Sequence, residues 1–169
     1  LRITLVRMNA IFSVARLADL SSLELHRIYK LRVDVFVQEQ HCAYAEIDDI
    51  DAANTTVHFQ ACSTTEPSEL IGYARMYPTE HGLQLGRLVV SPAHRGTGLA
   101  AELMFQALRW AHEQHPESDI MLNAQLPLQE YYEAYGFVPA GEPFDDEGIS
   151  HLPMALASTK LASIIEQRS

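Results

Sequence analysis

The stretch Ser91-Pro-Ala-His-Arg-Gly-Thr-Gly-Leu-Ala100 joins an apolar run, Leu88-Val89-Val90, to a segment of helical periodicity that begins near Gly98. An arginine and two glycines at such a junction suit an anion. The first residues of a helix leave backbone N–H groups unpaired and carry a partial positive charge, and both favour a phosphate. Glycine lets that backbone come close to a ligand and adopt conformations that other residues avoid. A dinucleotide pyrophosphate, a nucleoside triphosphate and the pyrophosphate of coenzyme A all fit this physics. A tight turn that binds nothing is the plain alternative.

Spacing separates these readings. Gly96, Gly98 and Ala101 satisfy G-x-G-x-x-A, but in dinucleotide folds the first glycine closes the strand, whereas here Ser91 to Arg95 intervene. That fingerprint also opens a series of parallel units, and here strand-like hairpins precede it and little chain follows. A Walker-type loop fails because the sequence contains no G-K-[ST].

The elements that must position the loop are readable around it. A first or edge strand is expected within LRITLVRMNAIFSVA, with a strand near Ile11 to Arg16. Ser21 stands three residues before Glu24, a capping-box spacing that opens a helix carrying Leu25, Ile28, Tyr29, Arg32, Val35 and Phe36 at helical intervals. HCAYAEIDDIDAAN is an acidic, aperiodic connector whose Asp48, Asp49 and Asp51 read as a solvated loop, with attraction of a cationic amine as the alternative. VHFQAC, LIGYARMYP and LQLGRLVV form an antiparallel meander. A helix follows from Gly98 to Gln114, buried through Leu99, Leu103, Met104, Ala107, Leu108 and Ala111. DIMLNA reads as a strand, LQEYYEAYG as a helix closing at Gly136, FVPA and HLPMALA as strands, and STKLASIIEQRS as a helical or frayed tail. The class expected is mixed α/β (α+β), with a central, mostly antiparallel sheet of six or seven strands flanked by helices.

Bulk properties narrow the partners. The 169 residues, 47% of them hydrophobic, suit one domain with one core. With 12 Lys and Arg against 22 Asp and Glu, the net charge of -10 disfavours nucleic acid and anionic membrane surfaces and favours cationic partners. The amino-terminal run is too short and too interrupted to span a membrane. Cys42 and Cys62 form neither a CxxC pair nor a metal-ligand spacing, which points to a cytoplasmic protein without disulfides, Cys42 being a small buried hydrophobe. His112-Glu-Gln-His115 does not complete H-E-x-x-H, because Pro116 stands where the second histidine belongs, so no metal is expected.

Read as R-x-x-G-x-A, with Arg95, Gly98 and Ala100, the opening stretch resembles the coenzyme A pyrophosphate loop of the GNAT N-acetyltransferases. YYEAYGF, residues 131–137, is similar to the helix and Gly-Phe ending that this family places after its fifth strand. Residues 29–51 and 122–154 resemble the ElaA-type branch, so that the likeness covers roughly residues 11 to 157 of a single domain read as 1–169. Gln125 departs from the general pattern, which carries asparagine there, and looks typical of the branch.

The resemblance implies acetyl-CoA as co-substrate, held by Leu88, Val89, Val90, Arg95, Gly96, Thr97, Gly98, Leu99, Ala100 and Gln125, with a backbone N–H at Val89 or Val90 polarising the thioester. Acetyl transfer to an amine also needs an acid for the departing thiolate and a base for the ammonium. Tyr132, four residues before Gly136, stands where many family members place the acid. Tyr131 and Tyr135 cannot share its face and read as packing residues. Glu39 and His151 are the base candidates. The reading is direct attack by a primary amine of a small molecule or peptide in a ternary complex. A non-catalytic acyl-CoA sensor and an acyl-homoserine lactone synthase-like enzyme are the rivals, and a homodimer is left open.

Overall fold

The computed structural model describes residues 2–42 and 44–168. Leu1, Ala43 and Ser169, which belong to the expected first strand, acidic connector and tail, lie outside the described residues. The chain divides into two compact units. The first runs up to Tyr77 and includes Arg87–Ala107; the second comprises Pro78–Gly86 and the chain from Leu108 onward. Nine strands are present among the described residues, two more than the upper expectation; the splitting of the amino-terminal strand into a hairpin and the three-residue strand Phe144–Asp146 account for the excess.

In the first unit, β1 (Ile3–Arg7) and β2 (Ala10–Ala15) form a hairpin where one strand was expected. Its turn is Met8-Asn9, both in left-handed backbone with φ of 54° and 58°. That geometry matches the twist of paired strands but is usually announced by glycine, which explains why the sequence hid it. β3 (Val57–Ser63) pairs antiparallel with β2 and with β4 (Leu70–Thr79).

Helix α1 (Ser22–Arg32) opens with the expected capping box: the Glu24 N–H donates to Ser21 Oγ at 3.1 Å, and the Ser21 N–H donates to Glu24 Oε2 at 2.8 Å. The α-helix stops at Arg32, short of the expected Phe36, and continues as a π-helical segment, Val33–Glu39. The wider turn keeps Val35 and Phe36 buried with Ile28, Leu70, Tyr73 and Val89, and it ends at Glu39. Strand β5 (Gly82–Val90) leads into the phosphate-loop candidate, and α2 (Leu99–Gln114) follows it. Gly72 on β4 lets α2 come close, since a Cβ there would lie 3.3 Å from Leu103.

In the second unit, Leu83 and Gln84 of β5 pair in parallel with β6 (Ile120–Gln125). β9 (Ile149–Leu156) pairs antiparallel with β6, with β7 (Val138–Pro139) and with β8 (Phe144–Asp146). The expected helix before Gly136 is reduced to α3 (Gln129–Glu133). Gly136 (φ 101°) ends the turn, and Phe137 behind it is buried. The tail forms α4 (Ser158–Arg168), anchored by buried Leu161 and Ile165.

Candidate active site

In the first unit, β5 enters the loop at Ser91, whose N–H donates to the Ile71 carbonyl on β4. A single 3₁₀ turn, Pro92–His94, follows and is fastened by Ser91 Oγ against His94 Nδ1 at 2.8 Å. Thr97 Oγ1 donates to the His94 carbonyl at 2.6 Å. Gly96 and Gly98 then take left-handed backbone, φ 73° and 84°, which excludes most other residues. Residues 95 to 98 are exposed, and the N–H groups of Gly96 and Gly98 have no protein acceptor among the described residues. A loop of free N–H donors at the start of the 16-residue α2 suits a diphosphate in shape and polarity.

Arg95 already has an anionic partner. Its two terminal nitrogens donate to the two carboxylate oxygens of Glu39, at 2.8 and 3.1 Å. This hydrogen bond and the guanidinium charge hold the Glu39 carboxyl below the usual carboxylate range. The structure therefore brings one base candidate, Glu39, to the arginine of the candidate phosphate loop.

Just before Leu88–Val90, Arg87 also has left-handed backbone, φ 55°, inside a strand. A non-glycine residue rarely stays there unless its surroundings hold it. Arg87 Nε lies 3.0 Å from Glu46 Oε1, and its guanidinium lies 5.1 Å from the centre of the Tyr44 ring. Glu46 also accepts from Arg32 Nε at 2.7 Å, and Arg32 Nη1 donates to Asp51 at 2.6 Å. Arg75 on β4 reaches Asp48 at 2.7 Å and Asp51 at 3.0 Å.

The expectation of a solvated acidic loop is thus corrected: Asp51 is buried, Asp48 half-buried, and only Asp49 of the three is exposed. Two buried arginines cannot remain without counter-charges, and the connector supplies them. The sequence did carry a signal, since Arg32 occupies a core-facing position of α1 and Arg75 the middle of an apolar strand. Burial alone would push the Asp51 carboxyl up, but the hydrogen bond and charge of Arg32, with Arg75, hold it low.

In the second unit, Gln125 ends β6 and faces His151 on β9 as its cross-strand neighbour. His151 Nδ1 lies 2.9 Å from the Ile149 carbonyl, an acceptor, so Nδ1 carries the proton and Nε2 of the neutral ring keeps its lone pair. Phe144 stacks on this imidazole, with centroids 5.6 Å apart and planes 20° apart. Phe144 escaped the sequence reading; its relation to His151 comes from the register Phe144↔His151 across the β8–β9 turn.

Tyr132 sits on α3 with its ring edge-on to buried Phe137, centroids 6.1 Å apart. Burial, with a smaller contribution from Tyr131, pushes its phenol up to about 12. Tyr132 is therefore a loaded proton donor throughout the neutral range. Tyr131 and Tyr135 join hydroxyls at 3.0 Å, and the exposed Tyr131 ring packs edge-on against Tyr132 and Tyr135, with centroids 5.2 and 5.4 Å apart. His115 is exposed and lies against Trp110. Among the described residues no group of three or more His, Cys, Asp or Glu side chains could hold a metal ion, and no helix is long and apolar enough to cross a membrane.

The acetyltransferase (GNAT) domain model matches residues 24–158, which take in parts of both units. The chain belongs to the GNAT family. Within it, protein ElaA of Escherichia coli is 34% identical over 141 residues, 82% of this chain and 90% of its own. The crystal structure of Escherichia coli ElaA aligns at 31% identity with a TM-score of 0.78, covering 85% of this chain and 97% of that one. The crystal structure of an acyl-CoA N-acyltransferase from Pseudomonas aeruginosa aligns at 36% identity and a TM-score of 0.81, over 86% and 98% of the two chains. These place the chain in the ElaA-type branch of the GNAT fold. GNAT membership carries with it acyl-CoA-dependent acyl transfer.

Proposed function

We propose that this GNAT protein, read as one domain over residues 1–169, moves an acetyl group from acetyl-CoA to a primary amine of a small molecule or peptide. The observation that carries the cofactor side is the anion-ready loop, with left-handed Gly96 and Gly98 beside Arg95 at the start of α2. Under this reading Arg95 to Ala100 hold the diphosphate. Leu88 to Val90 line the coenzyme, with the backbone N–H of Val89 or Val90 polarising the thioester carbonyl, and Gln125 contributes a polar amide to the coenzyme arm.

Nucleophilic attack forms the C–N bond, and collapse breaks the C–S bond. Tyr132 gives its phenolic proton to the departing sulfur. A phenol raised by burial is a weak acid, but it stays protonated at neutral pH and so has a proton to give as the C–S bond breaks. His151 Nε2 takes the ammonium proton, directly or through water. The orientation of His151, with Nδ1 fixed as the donor to Ile149, favours it over Glu39, whose lowered carboxyl is a poor base near neutrality. The acidic balance of the chain favours a cationic amine.

Tyr132→Phe tests the scheme by removing the proton while keeping the ring. Turnover should fall by about 10²- to 10⁴-fold, the usual worth of general acid–base catalysis, with the acetyl-CoA dissociation constant unchanged. A rate within about threefold of the parent would reject Tyr132 as the acid.

A further inference from the structure

An acidic chain that binds a polyanionic coenzyme needs local cations, and Arg95 is only one. A second stands on the β1–β2 hairpin. Arg7, the last residue of β1, lies with Nε 3.2 Å from Glu102 Oε1 in the first turn of α2. Glu102 is itself buried and accepts from Gln106 Nε2 at 2.7 Å, so it forms a fixed tether. Arg7 is about half exposed, at 53%, and its two terminal nitrogens have no protein partner among the described residues. The fork of Arg7 is thus oriented from behind and left free in front.

The hairpin tip is held at the same place. The Asn9 carbonyl accepts from the Thr64 N–H at 3.2 Å and from Thr64 Oγ1 at 3.0 Å. The Met8 methyl reaches to 3.4 Å from where a Cβ on Gly98 would stand. The turn therefore delivers Arg7 and Met8 to the start of the helix that opens with the glycine loop.

We propose that Arg7 is a second cationic anchor for the coenzyme phosphates, tethered by Glu102, and that Met8 covers the apolar side of the glycine loop. The inference rests on the reading of residues 95–100 as the diphosphate seat. In binding, the terminal nitrogens of Arg7 take a phosphate oxygen while Nε keeps Glu102, the arrangement in which a planar guanidinium outperforms an ammonium.

Calorimetry with acetyl-CoA on Arg7→Met, Arg7→Lys and Gly98→Val separates the inference from the reading beneath it. Arg7→Met should weaken binding about tenfold, the scale of one charge-assisted hydrogen bond on a half-exposed side chain, and flatten the salt dependence; Arg7→Lys should recover part of the loss. Catalytic efficiency with S-acetylpantetheine, which carries the thioester without phosphate, should not change. The Arg7→Met loss should also persist in a Glu102→Gln background. If Gly98→Val abolishes binding while Arg7→Met stays within twofold of the parent, the anchor is wrong and the seat stands. If Gly98→Val, still folded by its melting curve, binds normally, the seat and the anchor both fall. A loss that vanishes in the Glu102→Gln background, or that appears equally with S-acetylpantetheine, also overturns the anchor, because Arg7 would then only neutralise Glu102 or support the fold.

Discussion

Glu39 grips Arg95 through both carboxylate oxygens, at 2.8 and 3.1 Å, so a carboxylate sits on the cation proposed to take a phosphate. Coenzyme binding must then exchange one anion for another. Glu39→Gln should tighten acetyl-CoA by about two- to fivefold, the modest scale expected of an exposed ion pair, and leave turnover at saturating amine intact. Calorimetry and saturation kinetics on one variant read both quantities. A collapse of turnover with unchanged affinity would restore Glu39 as the base.

His151 carries the other base assignment. His151→Gln keeps a polar side chain on β9 but removes the proton acceptor at Nε2, so kcat/KM for the amine should fall by about 10²- to 10⁴-fold with coenzyme affinity unchanged. Phe144→Leu should produce a smaller fall in the same parameter, because it loosens the ring plane while the Ile149 carbonyl still fixes the tautomer. Steady-state kinetics with the amine varied decides. Near-parental activity of His151→Gln would remove His151 from the reaction.

The conformation of the glycine loop and the elements around it could be read from residue order because their causes are local. Arg95, Gly96 and Gly98 announce a backbone conformation within four residues, and Ser21 and Glu24 cap α1 through bonds spanning three. The fate of Asp48 and Asp51 was hidden because their partners, Arg32 and Arg75, lie far away in sequence. Whether an acidic loop is solvated depends on which buried cations it meets. The proton position on His151 was hidden for another reason: its partner, the Ile149 carbonyl, is only two residues away, but which ring nitrogen meets it depends on the side-chain rotamer.

The buried charge network should make the fold acid-sensitive. Asp51 and Asp48 both have carboxyls lowered on folding, Asp48 chiefly because the Arg75 bonds and charge overcome the upward push of partial burial. A lowered folded pKa contributes stability that is fully present above the unfolded value, about 3.9, and is lost as pH falls through the lower folded value. The melting temperature should therefore hold from pH 7 to about 5 on this account and drop below about 4. Asp51→Asn should cost on the order of 3–5 kcal/mol at pH 7, because it leaves Arg32 and Arg75 under-compensated inside the protein, and it should flatten the acid limb. Thermal melts across pH on both proteins check this; an unchanged midpoint at pH 7 would show that the network is structurally idle.

The most direct test of acetyl transfer is a two-substrate matrix that follows thiol release from acetyl-CoA against a panel of primary amines, with the acylated product identified by mass. Release should require the amine, the product should carry the acetyl group on nitrogen, and double-reciprocal lines should intersect, as attack within a ternary complex demands. Tight acetyl-CoA binding with no amine-dependent release across small-molecule and peptide amines would contradict the enzyme reading and leave a coenzyme-binding module. Parallel lines would instead mean that the acetyl group passes through a covalent protein intermediate.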